Sequence, residues 1–145
     1  MLWPTIVGNE WGSAVGARKY NFLGRVAEPL IIAIGEAIRF QSNIGKKRIE
    51  RRIKTLAAYL KENAAKIPGV TIYTPMDSEL SGGITVLGLD TVEADHLVDY
   101  MREKYNIVTA ILKDMNGARI CTHIWITFKQ IDVLLNALKE LKTGI

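Results

Sequence analysis

At Pro68-Gly69 the hydrophobic period of this chain changes, and that switch limits the fold more than any other feature. Before it, Ile49, Ile53, Leu56, Ala57, Leu60 and Ala64 fall on one stripe at helical spacing, which predicts a helix from about Lys46 to Lys66. Proline cannot supply the amide that a helix interior needs, and glycine readily leaves helical geometry, so the pair ends that helix. An earlier helix is expected from about Glu28 to Gln41, with Pro29 in its first turn and Glu28 near its positive end. Its apolar residues (Leu30, Ile31, Ile32, Ile34, Ala37, Ile38 and Phe40) run nearly all the way round, so it is expected to be buried on most sides.

After Gly69 the runs are short and β-rich. Val70 to Tyr73, Ile84 to Leu89, Ile107 to Ile111 and Ala118 to Trp125 read as strands, the last two joined by turn residues at Asp114, Asn116 and Gly117. Thr91 is the expected N-cap of a helix reaching about Lys104, and Thr127 that of a final helix striped by Ile131, Leu134, Leu135, Leu138 and Leu141. The order α-α-β-β-α-β-β-α predicts an α+β fold, a small mixed or antiparallel sheet covered by helices.

A chain of 145 residues reads as one domain with room for a core. Its one cysteine, Cys121, excludes an intrachain disulfide and an all-cysteine metal cluster built by this chain alone. The longest apolar run, Leu30 to Ile34, is far short of the ~18 residues of a membrane span, and Met1 to Pro4 carry no basic start of an export signal. A cytoplasmic protein without membrane contact is therefore expected. Residues 1–26 hold no sustained period but contain Trp3, Trp11 and Phe22, and read as an irregular docking segment ahead of a domain at 27–145. Those aromatics pack either on this domain or on a further piece of protein. Charge is uneven: residues 1–69 carry 12 Lys/Arg against 5 Asp/Glu, and residues 70–145 carry 7 against 10. A basic first half suits an anionic ligand, nucleic acid or an acidic protein surface.

Candidate chemistry is sparse. His96 stands in a helix among polar residues and reads as solvated. His123 alternates with Cys121 and Trp125, so a Cys121/His123 neighbourhood on one strand face is a nucleophile-base arrangement or, more plainly, packing. Metal spacing is absent, so no metal is expected. Gly12 to Gly16 follows no strand and is weak as a phosphate cradle. Lys46, Lys47, Arg48, Arg51, Arg52 and Lys54 form a broad basic helix face without interleaved aromatics, which disfavours base stacking. Arg119, leading a strand in an apolar segment, is either solvated or a fork aimed at a carboxylate.

Three stretches carry a resemblance: Gly35–Glu62, Ile67–Thr85 and Ala118–Leu138, the last reading ARICTHIWITFKQIDVLLNAL. Together, from Lys19 to Ile145, they resemble the C-terminal small domain of class V aminotransferases, which are fold-type I pyridoxal-phosphate enzymes. The flavour is isopenicillin N epimerase-like, with cysteine desulfurases as more distant relatives. The resemblance implies that Arg119 binds the substrate α-carboxylate, and that Cys121 stands where the family has serine. It places Gly24 and Arg25 in a loop reaching the cofactor phosphate of a neighbouring subunit. The desulfurases' cysteine-bearing loop corresponds to Val108–Ala118, which has no cysteine, so Cys121 is not that nucleophile.

The family's cofactor lysine and its pyridine-pairing aspartate belong to a preceding large domain. Pyridoxal phosphate is thus expected in an intact enzyme and not on this chain alone. The chain is expected to be inactive by itself, with no catalytic residue of its own. Its expected partners are a large cofactor-binding domain, a second copy in a homodimer and an amino-acid substrate. The reaction itself (epimerase, aminotransferase or lyase chemistry) is left open. The rival expectation is a non-enzymatic basic module binding nucleic acid or an acidic protein through Lys46–Lys54.

Overall fold

The computed structural model describes residues 27–144, and the chain divides into two compact units, residues 1–43 and 44–145. The described part of the first is α1 (Glu28–Ile44). The helix forms where expected, but none of its residues is buried. Leu30, Ile32 and Phe40 are 65%, 67% and 61% exposed, which corrects the expectation of burial on most sides. An all-round apolar helix demands cover but does not say which surface supplies it. The docking segment, with Trp3, Trp11 and Phe22, lies outside the described residues.

The second unit runs α2 (Lys46–Ala64), β1 (Val70–Ile72), β2 (Ile84–Leu89), α3 (Ala94–Tyr105), β3 (Ala110–Leu112), a short 3-10 turn (Lys113–Met115), β4 (Gly117–Cys121) and α4 (Phe128–Thr143). The strands form one antiparallel sheet ordered β1-β2-β4-β3, so the fold is α+β in the expected order. Side chains alternate across a strand, and the alternation separates two faces. Leu87, Ala118 and Ile120 join Leu56 and Leu60 of α2, Leu97 and Met101 of α3, and Ile131, Leu134 and Leu138 of α4 in one core. Each fully buried leucine there contributes ~2 kcal/mol of transfer free energy. The opposite face carries no helix of this unit, and Ile84, Arg119 and Cys121 are exposed on it.

Helix ends follow local chemistry where the cap is near in sequence. Thr127 accepts from the Gln130 amide while the Gln130 side chain accepts from the Thr127 amide, a reciprocal capping box. Thr91, by contrast, is not the cap of α3. It sits at φ 66° in the turn after β2, and the Ala94 amide donates to Asn116 Oδ1 at 2.7 Å. A side chain from the β3–β4 connection, itself in the left-handed region at φ 45°, thus caps a helix that begins 22 residues earlier. Two strands are also shorter than expected: β3 starts at Ala110 instead of Ile107, and β4 stops at Cys121 instead of Trp125.

At the far ends of α3 and α4, Glu140 accepts from Lys104 Nζ at 2.8 Å and from the Tyr105 and Tyr100 hydroxyls. The Lys104 hydrogen bond, ahead of that from Tyr105, holds the Glu140 carboxyl below its usual range. The bond to Glu140 pushes the Tyr105 phenol up to about 12 and raises Lys104. The signs fix a pH profile. A lowered carboxyl gives stability that is present above its ordinary pKa of 4.5 and is lost as pH falls through the folded value. A raised phenol gives stability that is present below its ordinary 10.0 and is lost as pH rises towards 12. Urea-unfolding midpoints measured across pH should fall at both ends, and Glu140→Gln should flatten both limbs relative to the wild type.

Candidate functional site

The site begins with the register of β4. Arg119 faces Val86 of β2 and Ala110 of β3 across the sheet, and Cys121 faces Ile84. β4 lies between two neighbours, so its backbone cannot shift without breaking two ladders. Arg119 therefore rises from the middle of the sheet, on the face opposite the core. Val86, Ala110 and Leu112 beside it are half-buried, and Ile84 and Cys121 are exposed. Gly117 and Gly88 continue the same face, and the Tyr73 ring lies across both. A Cβ on Gly88 would stand 3.2 Å from the Tyr73 hydroxyl, and one on Gly117 would stand 3.3 Å from the ring. Glycine is needed here because a Cβ would also meet backbone carbonyls, that of Asn116 at 2.8 Å from Gly88 and that of Leu87 at 3.0 Å from Gly117.

Among the described residues Arg119 makes no hydrogen bond and no ion pair. A planar guanidinium on an uncharged platform can bind one carboxylate through two parallel hydrogen bonds. That is the arrangement's chemical capacity: it holds and orients an anion.

The other sequence candidates separate. His96 is exposed on α3. β4 ends at Cys121, so His123 does not share a strand face with it; the imidazole instead stacks on Trp125 at 3.7 Å between ring centroids. No group of three metal-binding side chains occurs among the described residues. Gly24 and Arg25 lie outside the described residues. The basic face of α2 is divided. Arg52 donates to the Ile126 carbonyl at 2.8 Å and packs over Phe128, and Lys54 pairs with Glu79 and Glu50. The bond to Glu79, then that to Glu50, raises the Lys54 ammonium. Lys46, Lys47, Arg48 and Arg51 remain exposed.

One residue near the site went unrecognised in the sequence. Lys61 is 2% exposed, and its ammonium donates to the Pro75 and Met76 carbonyls and to Ser81 Oγ. It fixes the loop that enters β2 just ahead of Ile84 and Val86. A signal was present: Lys61 stands on the same helical face as Ala57 and Ala64, inside the apolar stripe. Lys61→Met should leave the Pro75 and Met76 carbonyls and Ser81 Oγ without their shared buried donor. It should lower unfolding free energy by ~3 kcal/mol in urea titration, with Lys61→Arg restoring only part.

With this geometry in view, the comparisons place the chain. The family model for "Aminotransferase class-V" matches residues 17–133. The chain belongs to the class V aminotransferase family. It is 31% identical over 144 residues to an isopenicillin N epimerase of Amycolatopsis lactamdurans, which covers 95% of this chain and 35% of that relative. It is 32% identical over 126 residues to a "Probable cysteine desulfurase" of Staphylococcus aureus (strain Mu50 / ATCC 700699), covering 79% of this chain and 30% of the relative. Among solved structures, a mutant of C-DES with glycine covalently linked to its PLP cofactor superposes with a TM-score of 0.74 at 17% identity. It covers 87% of this chain and 32% of that one. The chain thus spans about a third of the length of the relatives it matches.

Proposed function

We propose that this chain is the C-terminal small domain of a pyridoxal-phosphate-dependent enzyme acting on an amino acid or amino-acid-derived substrate. In this reading Arg119 holds the substrate carboxylate. The observation that carries it is an arginine with no partner among the described residues, at the centre of a sheet face that no helix of its own unit covers, in a chain of this family. Support also comes from surface without cover: α1 is apolar all round and exposed, as a helix docking on a large cofactor domain would be. Gly24 and Arg25, towards the cofactor phosphate of a neighbouring subunit in a homodimer, and a cytoplasmic location belong to the same reading.

The residues described do not fit the cofactor's own attachment. Pyridoxal phosphate acts as an electron sink for the substrate once a lysine amine has anchored it. The buried lysine here, Lys61, has its ammonium on two carbonyls and a hydroxyl. Lys54 and Lys104 are paired with carboxylates. By resemblance to the family the anchoring lysine belongs to the large domain, and no chemical step is assigned to this chain. Its contribution is positional. A bidentate pair from Arg119 fixes the carboxylate plane, and with it the direction of the bonds at the α-carbon. Epimerase, aminotransferase and lyase chemistry all use that service. In this reading the chain alone is inactive and holds no cofactor.

The rival, a basic module working through Lys46–Lys54, has less support, because Arg52 and Lys54 are already engaged within the fold. Polyanion binding would weaken steeply with salt, which separates the two readings.

The test is kinetic. In the intact enzyme, Arg119→Lys keeps the charge and loses the fork, so kcat/KM should fall by about 100-fold with the unfolding midpoint unchanged. Equal activity of variant and wild type would refute the assignment.

A further inference from the structure

The sheet has an unfinished edge. Thr122 donates its amide to the Gly83 carbonyl at 2.7 Å, so the even-numbered residues of β4 direct their backbone groups to β2 and the odd-numbered ones to β3. Arg119 bonds across to Ala110, and there β3 ends. Cys121, the next odd residue, directs its N–H and C=O to the same side, where no described strand pairs with it. The register would put Val108 opposite Cys121, but Val108 belongs to no strand and is 74% exposed.

Where the two segments part, a groove of about 410 Å³ opens. Leu60, Ile107, Ile120, Ile126, Ile131 and Leu134 give it an apolar floor, and no charged residue lines it among the described residues. Thr109 Oγ1, also on its wall, is buried without a hydrogen-bond partner among the described residues.

We propose that this groove is a docking site for an uncharged, extended peptide segment of another polypeptide, which adds to the sheet as a strand along the Cys121 edge. The backbone asks for a donor and an acceptor side by side, which a peptide unit offers and a hydrocarbon does not. The Thr109 hydroxyl adds a third polar requirement. The floor takes apolar side chains on one side of the added strand, and the lack of any counter-charge rejects acidic and basic ones. The site lies on β4's edge, apart from the face that carries Arg119, and the proposal does not rest on Arg119's role.

The probe is the capped peptide acetyl-Val-Thr-Val-Thr-Val-amide, titrated into the ¹⁵N-labelled 145-residue chain. Saturable shifts should appear at the Cys121 and Thr109 amides. Methylating the peptide nitrogens one at a time should alternate in effect. A nitrogen facing Cys121 should weaken binding by about tenfold or more, and its neighbour should leave it within about threefold. Val133→Glu puts a charge on an already exposed part of the wall and should weaken binding by a similar factor, with the thermal melt unchanged. The proposal is overturned if no saturable shift occurs, or if every N-methyl peptide binds equally. It also fails if benzyl alcohol fills the groove in place of the peptide, or if the same amides shift with protein concentration alone, which would mean a second copy occupies it.

Discussion

The antiparallel ladder between β2 and β4 is the contact on which the rest of this structure depends. It sets Leu87 against Ala118 on the core side and Val86 against Arg119 on the open side. Because side chains alternate, one registration decides both faces together: a slip by a single residue would bury the guanidinium and expose the leucines. The core therefore enforces the position of the arginine. Burial of Leu87, Ala118 and Ile120 by three helices is far more costly to undo than any surface arrangement, and Arg119 inherits that rigidity.

Much of the fold was legible because its signals are local. The stripe of α2, the β-rich run of β2 and the Thr127 N-cap of α4 each lie within one segment, and the structure shows them where the sequence puts them. What was not legible depends on groups distant in sequence. Asn116 caps α3 from the β3–β4 connection, which no inspection of Thr91 and its neighbours reveals. Ile107–Thr109 has the composition of a strand, yet pairing is decided by the path of β4 beyond Cys121. The same holds for α1, whose apolar circumference states a need for cover without naming its source.

The candidate site divides along the same line. Its one charged member came from a motif, through resemblance, and its surroundings came only from strand register. The platform of Val86, Ala110 and Leu112, with Tyr73 laid over Gly88 and Gly117, joins residues from four separate segments. Lys61 was missed for a different reason. A lysine in an apolar stripe ordinarily extends its amine to water, and here the amine finds three acceptors on the loop ahead of β2.

The separation in sequence between β2 and β4 has a consequence for how the arginine is lost. The short β3–β4 hairpin carries Arg119, but its second ladder, to β2, is reached only through α3 and β3, so the hairpin alone cannot complete the platform around Arg119 while the rest is unfolded. Subglobal opening leaves the most deeply packed strands until last, and this arginine stands on one of them. The anion-holding geometry should therefore disappear with global unfolding and not with local fraying. Activity lost through a distant core substitution then reflects the population of folded molecules, whereas substitutions on the open face act on the folded molecule itself.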